Sequence, residues 1–317
     1  MSLDSRSLRW AGAGGLLAGY AADRVIGDPR RAHPVAAFGS VAGWLQQQVY
    51  ADDRARGVIY AGGLVGAAAG LGRLLDVLTA RHPLARAAVS AAATWAVLGG
   101  RSLTREADLL YAQLEVGDLA AARRQVRNLV GRDPSQLDAA ELSRATIESV
   151  AENTSDAVVA PLFWGAIAGV PGLLGYRAAN TLDAMVGHKT PRLRRFGWAA
   201  ARLDDVLNYL PARLCGLLVG AFAARPTETW RIVRRDAGQH PSPNAGVVEA
   251  AFAGVLDVQL GGANVYDGEV EDRGTLGDGR APEVSDIAAA SRLSSAVGLV
   301  AATLAAGVLA VTRRVRW

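Results

Sequence analysis

Two uncharged runs of residues constrain this chain more than any other feature, because a helix of about 20 apolar residues can cross a lipid bilayer. These runs are residues 157–176 and 293–312. Four further apolar segments are shorter or carry a charge, and they lie at about 10–26, 57–78, 84–100 and 206–224. Together the six segments predict an all-α, polytopic integral membrane protein with a single domain over residues 1–317.

Composition supports this class and excludes several others. Half of the residues are apolar and 20% are charged, which excludes a disordered chain. A single cysteine, Cys215, excludes a disulfide scaffold and a cysteine zinc site. The net charge of +4 comes from basic residues scattered along the chain, so we expect no nucleic-acid partner. Buried core helices of a soluble protein are the alternative, but the 36 glycines favour closely packed membrane helices.

The polar segment at 101–156 predicts helices outside the bilayer. Asp118 is placed to cap one of them. Ser135 with Asp138 predicts a capping box at the start of a second helix, which continues to about Asn153.

Two other polar segments predict loops. The prolines in residues 28–56 predict a fixed loop rather than a helix. The long segment at 225–292 ends in a glycine- and aspartate-rich stretch, residues 261–280, which predicts an ordered loop or lid. No strand-like alternation is long enough to predict a sheet.

The densest chemical signal is a row of carboxylates just before an apolar segment. On a helix, Glu148, Glu152 and Asp156 would lie one turn apart on the same face. Like charges at this spacing repel each other, so helix stability does not explain them. Binding of Mg²⁺ or of cationic groups would explain the three carboxylates. The alternative is a solvated acidic face paired with Arg101, Arg105 or Arg144.

A second group of polar residues follows the same apolar segment. Asn180 and Asp183 are three residues apart, and His188 comes next. Asp204 and Asn208 are one helical turn apart and could give two oxygen ligands to one ion. The alternative is helix capping with Arg–Asp pairs.

A third group lies in a proline-rich turn, where His240, Ser242 and Asn244 would project rigidly. Glu249 belongs to the helix that follows. Gly261 and Gly262 would let the backbone approach a ligand closely. A lone histidine is commonly structural, so the functional and structural interpretations both stay open.

One straight membrane-spanning helix at residues 157–176 would put the loops before and after it on opposite sides of the membrane. Basic residues in the loops at 101–156, 177–204 and 225–292 place all three loops in the cytoplasm by the positive-inside rule. Pro161, Gly169, Pro171 and Gly172 permit a broken or re-entrant structure. We therefore predict that residues 157–176 do not cross as one straight helix.

Five stretches resemble, in order, the CobD/CbiB family of cobalamin-biosynthesis membrane proteins. They are GDPRRAHPV (27–35), IESVAENTSDAVVAPLFWGAIAGVPG (147–172), YRAANTLDAMVGH (176–188), FGWAAARLDDVLNYLPARL (196–214) and HPSPNAGVVEAAFAGVLDVQLGGANVYDG (240–268). The resemblance covers about residues 15–280. It implies a multi-pass protein of the cell membrane.

The resemblance also implies a reaction. ATP would drive amide formation between the f propionate of adenosylcobyric acid and (R)-1-amino-2-propanol or its O-phosphate. The product would be adenosylcobinamide or its phosphate. The partners would then be a corrinoid, the aminopropanol and the lipid bilayer, with ATP and Mg²⁺ as cosubstrate and metal.

The sequence has no phosphate-binding loop of the GxxxxGK[ST] type, so side chains must hold the nucleotide. As hypotheses, Mg²⁺ with ATP is assigned to Glu148, Glu152 and Asp156, with a second ligand set of Asp204, Asp205 and Asn208. Glu148, Glu152 and His240 are the catalytic candidates, and His240 would accept the proton of the amine. The substrate-binding candidates are Asp28, His33, Arg177, Asn180, Asp183, His188, Arg202, Asn244 and Glu249.

Two other functions stay open at this point. A Mg²⁺-dependent membrane transferase acting on a diphosphate would also use acidic clusters at the membrane surface, but only Asp204-Asp205 approaches its aspartate-rich motif. A corrinoid-binding or transport scaffold would predict symmetrical halves with matching broken helices.

Overall fold

A computed structural model describes residues 5–28, 33–131, 133–188, 190–266 and 269–311. These residues are predominantly helical, as predicted, and they divide into two compact units. The first unit takes the described parts of Met1–Gly99, Ala160–Asn208 and Ala301–Trp317, and the second takes Gly100–Val159 and Tyr209–Val300.

The helices are numbered in chain order. They are α1 (Ser5–Ile26), α2 (Pro34–Val49), α3 (Arg54–Leu78), α4 (Pro83–Val97), α5 (Gly100–Glu115), α6 (Leu119–Val126), α7 (Ala139–Thr154), α8 (Ala160–Ala168), α9 (Val170–Val186), α10 (Trp198–Gly220), α11 (Pro226–Asp236), α12 (Ala245–Leu256) and α13 (Val284–Val311). A π-helical turn, Ser155–Val159, joins α7 to α8.

Two described helices, α3 and α13, are long and apolar enough to cross a membrane. They correspond to the predicted segments at 57–78 and 293–312. This finding rests on length and composition alone, so the number of spans stays a prediction.

The apolar run at 157–176 is broken, as predicted. Helix α8 ends at Ala168, and Gly169 adopts a φ of +69°, a left-handed conformation that suits glycine. Pro171 lies in the first turn of α9, where its missing N–H costs no helix hydrogen bond.

The predicted loop at 28–56 was wrong, because α2 occupies most of it. Pro34 stands in the first turn of α2, and the His33 side chain caps it by accepting a hydrogen bond from the Val35 N–H at 3.1 Å. The proline therefore marks the start of a helix, a position it favours. Residues 29–32 lie outside the described part of the chain.

The caps of α6 and α7 are also set by local chemistry. Asp118 caps α6, as predicted. The capping box of α7 is formed by Asp138 and Glu141 rather than by Ser135 and Asp138. Ser135 instead donates hydrogen bonds from its backbone N–H and its hydroxyl to the carboxylate of Asp133.

The predicted all-α class misses a small sheet in the second unit. Strands β1 (Leu260–Tyr266) and β2 (Glu269–Leu276) form an antiparallel hairpin with an irregularity between Gly261 and Ala263. Residues 261–280, predicted as a loop or lid, therefore contain most of a hairpin. The short strands and their glycines hide the alternation that would predict a sheet.

Helices α1 and α4 of the first unit approach closely through glycines of α1. A Cβ atom at Gly19 would overlap the Ala91 carbonyl and lie 2.6 Å from the Thr94 Cβ. Small residues at such crossings are typical of membrane helix pairs.

This packing predicts that alanine substitutions at two glycines of α1 differ in their effect on stability. Gly19→Ala should destabilise the protein by about 1–3 kcal/mol because the added methyl forces the helices apart. Gly14→Ala is the control, since no heavy atom lies within 4 Å of a Cβ there. Thermal unfolding in detergent measures both variants, and equal melting temperatures would contradict the close packing of α1 on α4.

Candidate active site

Helix α7 positions the first two carboxylates of the predicted acidic row. Its capping box fixes its start, and most of its side chains are buried in the second unit. Glu148 is only 5% exposed, and Glu152, one turn later, is half-buried. Two carboxylates at this depth need compensating charge or hydrogen bonds.

Glu148 binds the β1–β2 hairpin through a hydrogen bond of its side chain. Its Oε1 atom accepts a hydrogen bond from the backbone N–H of Gly261 at 2.8 Å, and a nitrogen of Arg144 lies 3.8 Å from the same oxygen. Gly261 has a φ of +80°, and a Cβ there would overlap the carbonyl oxygen of Gly274. The glycine was predicted to let a ligand approach, but the group that approaches it is the neighbouring strand.

Glu152 lies in the electrostatic field of the hairpin. Burial raises its pKa above the usual value, the positive charge of Arg273 lowers it, and the charge of Glu148 raises it. Arg273 belongs to β2 and is half-buried. We call Arg144, Glu148, Glu152 and Arg273 the carboxylate–arginine cluster.

His240 and Glu249 form a second buried pair in the same unit. The His240 Nε2 atom lies 3.6 Å from Glu249 Oε1, and its Nδ1 accepts a hydrogen bond from the Ser242 N–H at 3.0 Å. Burial, and then the charge of Arg273, lower the pKa of His240 to about 4. The ring is therefore neutral at pH 7. Arg273 acts on both Glu152 and His240 and so links this pair to the cluster.

Asn244 completes the proline-rich turn. Its side-chain oxygen accepts a hydrogen bond from Arg213 at 3.2 Å, and its backbone N–H donates to the Ser242 hydroxyl at 3.3 Å. These hydrogen bonds tie the turn together, and it leads directly into α12, which carries Glu249.

Asp156 does not continue the row as a regular helix would. Regular α-helix ends at Thr154, and Asp156 lies in the π-helical turn, which changes the angle between successive side chains. Within the residues that the structure describes, no three His, Cys, Asp or Glu side chains are arranged to hold a metal ion. The shared face of all three carboxylates, which assumed a regular helix through Asp156, therefore stays a prediction.

A separate polar network lies in the first unit, on α9 and α10. Both oxygens of Asp204 accept hydrogen bonds, from the Asn208 amide at 2.9 Å and the Asn180 amide at 3.3 Å. The Tyr176 hydroxyl donates to Asn208 at 2.8 Å, and Arg177 donates to Asn180 at 3.4 Å. We call these five residues the amide network.

Asp205 was grouped with Asp204 and Asn208 in the prediction, but it lies on another face of α10. Its carboxylate pairs with the exposed Arg202 at 3.2 Å. This is the Arg–Asp pair that the alternative interpretation predicted, because adjacent helical residues point about 100° apart.

The remaining candidates of the first unit have local partners. His188 is exposed, with Nε2 3.0 Å from the Ala184 carbonyl oxygen, and Asp183 is half-buried near Gly187. His33 lies 3.3 Å from Asp28 while it caps α2. The roles of these residues in substrate binding stay predictions.

Two residues of these groups were not among the candidates of the sequence analysis. Arg273 lies in a stretch predicted as a loop, and its position beside Glu152 depends on the hairpin. Tyr176 stands at the start of one of the five stretches, four residues before Asn180, which is the helical spacing that signals a shared face.

Fold and site together define a helical protein with membrane-length apolar helices and a buried carboxylate–arginine cluster. The family described as CobD/Cbib protein matches residues 16–294. The chain belongs to this family.

Similar proteins named "Cobalamin biosynthesis protein CobD" extend over most of the chain. The one from Mycobacterium tuberculosis (strain ATCC 25618 / H37Rv) is 52% identical, covering 95% of this chain and 96% of its own. The one from Chromobacterium violaceum is 44% identical over 86% and 88%, and the one from Rhizobium meliloti is 42% identical over 84% and 88%. No solved structure matches. Family membership gives the chain a role in cobalamin biosynthesis as a biosynthetic enzyme.

The burial of Glu152 predicts a pH-dependent effect of Glu152→Gln. A raised folded-state pKa means that the unfolded chain loses this proton at a lower pH than the folded protein does, so the carboxylate costs increasing stability as the pH rises above the ordinary pKa of glutamate, whereas glutamine carries no such cost. The variant should melt at a higher temperature than the wild type at pH 8, and the difference should vanish toward about pH 4, near the ordinary pKa of glutamate.

Thermal unfolding at several pH values measures this difference. Glu283→Gln, which removes an exposed carboxylate of the same unit, corrects for the lost charge. If Glu152→Gln lowers the melting temperature at pH 8, attraction to Arg273 outweighs burial and the assignment is wrong.

Proposed function

We propose that this protein catalyses ATP-dependent amide formation in cobalamin biosynthesis, at the cell membrane. The acid is the f propionate of adenosylcobyric acid, and the amine is (R)-1-amino-2-propanol or its O-phosphate. The observation that carries the proposal is the carboxylate–arginine cluster, where two carboxylates one turn apart face charge from Arg144 and Arg273.

The chemistry explains why such a cluster is needed. A propionate oxygen attacks the terminal phosphorus of ATP, the bond between that phosphorus and the oxygen of ADP breaks, ADP leaves, and an acyl phosphate forms. The amine, which is an ammonium ion at neutral pH, first loses one proton. Its nitrogen then attacks the acyl carbon, the carbon–oxygen bond to phosphate breaks, phosphate leaves, and the nitrogen loses a second proton. Phosphoryl transfer of this kind depends mainly on positioning and on neutralising negative charge.

The cluster fits a magnesium ion that is held mainly by phosphate. Glu148 and Glu152 repel each other, and this repulsion contributes to the raised pKa of Glu152. A divalent cation would relieve it. Mg²⁺ commonly binds one or two carboxylates and takes its other ligands from substrate phosphates and water. When bound, the ion would neutralise charge on the transferred phosphate.

Arg273 and His240 have roles suited to the two steps. An arginine can pair with phosphate oxygens through two parallel hydrogen bonds, so Arg273 is a candidate phosphate ligand. His240 is neutral at pH 7 because its pKa is about 4, and it can therefore accept a proton. Such a weak base would take the proton only as the new carbon–nitrogen bond forms.

The amide network is the candidate for holding the polar edge of a substrate. Its amides and carboxylate are already hydrogen-bonded to each other, which fixes their orientation. Arg177 extends from this network to an apolar cavity of about 360 Å³ lined by residues such as Phe38 and Leu174. A guanidinium beside an apolar surface suits a polar group carried on an apolar stem.

The reaction itself is the first test. Purified full-length protein is incubated with ATP, Mg²⁺, adenosylcobyric acid and aminopropanol or its phosphate, and the amide is measured by mass spectrometry. We expect amide formation and ATP consumption only when acid and amine are both present. Transfer of a diphosphate-linked group, or corrinoid binding without ATP consumption, would contradict the proposal and favour the transferase or the scaffold.

A variant tests the role of the cluster in that reaction. Glu152→Gln should lower the rate by about a hundredfold or more, since loss of one group that stabilises developing charge has effects of this size. It should also raise the Mg²⁺ concentration needed for half-maximal rate. Glu283→Gln is the matched control and should behave as the wild type. A Glu152→Gln variant with full activity at limiting Mg²⁺ would remove the metal assignment.

A further inference from the structure

A cavity of about 700 Å³ lies within the first unit, apart from every candidate active-site residue named above. Its charged lining consists of four arginines and one aspartate, which are Arg6, Arg9, Arg73, Arg86 and Asp76. None of these five residues lies in the stretches that resemble the CobD/CbiB family. The cavity therefore needs an explanation of its own.

The charged side chains that line the cavity are mostly positive, and one of the arginines is held by a buried partner. Asp76 is 2% exposed and pairs with Arg86 at 2.7 Å, and its carbonyl oxygen accepts a second hydrogen bond from Arg86 at 3.0 Å. One carboxylate thus offsets one guanidinium. The other three arginines give the lining a net charge of +3, since four positive charges face one negative charge.

A buried hydroxyl points to a polar ligand. Thr94 lines the cavity and is fully buried, and its Oγ1 has no hydrogen-bond partner among the described residues. Ser90, 6% exposed, lines the cavity one turn earlier on α4. A buried hydroxyl without a hydrogen-bond partner costs stability, and a ligand that donates to it or accepts from it would offset that cost.

The other wall of the cavity is apolar. Leu16, Leu173 and Leu309 line it, and Leu309 stands two residues before the end of α13 at Val311. Arg73 lies in the last two turns of α3. Because α3 and α13 are the two candidate membrane spans, these ends belong at the level of lipid head groups if the spans cross.

We propose that this cavity binds a phosphate ester anion, with the arginines on its oxygens and the leucine wall against an apolar chain. Guanidinium groups bind phosphate bidentately, and basic pockets between membrane helices bind anionic lipid head groups. The apolar wall favours a phospholipid over a free phosphate. The site is independent of the proposed catalysis, because its charged residues belong to neither candidate group.

The test uses full-length protein in a neutral detergent. Native mass spectrometry measures binding of phosphatidylglycerol, with phosphatidylcholine as the zwitterionic comparison that has no net charge, and titration calorimetry measures binding of inorganic phosphate. The variant is Arg6→Gln/Arg73→Gln, which changes two exposed side chains and leaves the buried Asp76–Arg86 pair intact. Arg81→Gln is the control, since Arg81 is exposed, close in sequence and outside the cavity lining.

We expect phosphatidylglycerol to bind in preference to phosphatidylcholine and the double variant to weaken it by about tenfold or more. Arg81→Gln should bind as the wild type does. A second outcome is that the wild type binds inorganic phosphate but not phosphatidylglycerol, and that the double variant weakens phosphate binding by the same factor of about tenfold or more. That outcome would support the anion site with a free phosphate as its ligand. Equal affinities of the double variant and Arg81→Gln, or no binding of either anion by the wild type, would overturn the proposal.

Discussion

The hydrogen bond from the Gly261 N–H to the buried carboxylate of Glu148 is the contact on which the candidate active site depends. It fixes the hairpin against α7, and the hairpin brings Arg273 to Glu152 and His240. Glycine is favoured at 261 because residues with a side chain rarely adopt a φ of +80° and because Gly274 approaches too closely for a Cβ atom. A buried carboxylate is tolerated here because a backbone donor and Arg144 compensate its charge.

Local signals in the sequence were enough to predict much of the helical part. The carboxylate spacing of Glu148 and Glu152, the cap at Asp118 and the break near Gly169 follow from chemistry within one or two turns. Pro34 was misinterpreted because a proline both ends one segment and begins the next, and only the helix that follows decides which applies.

Features that depend on contacts distant in sequence could not be predicted. Arg273 reaches Glu152 through strand pairing, and no period in the sequence marks so short a hairpin. The π-helical turn that contains Asp156 changes the helical spacing without any change in residue pattern, so the sequence did not predict it. Asn180 was paired with Asp183 by spacing, whereas the structure pairs it with Asp204 on another helix.

The two units carry different chemistry. The second holds the charged cluster, in which burial and then repulsion by Glu148 raise the pKa of Glu152 and the charge of Arg273 lowers it, as suits a phosphate-handling site. The first holds the amide network, whose groups satisfy each other, and a basic cavity lined on one side by leucines. Family membership gives the chain its role in cobalamin biosynthesis, and this distribution of charge supports the proposed ligase reaction and a separate anion site.

The most direct measurement of the central claim is a double-mutant cycle on the rate of ATP-dependent amide formation, with Glu152→Gln, Arg273→Gln and the combined variant. If the hairpin holds Arg273 in the same site as Glu152, the two losses will not multiply, and the combined variant will fall within about threefold of the slower single variant. Losses that multiply in full would show that the two side chains act independently and would contradict the account.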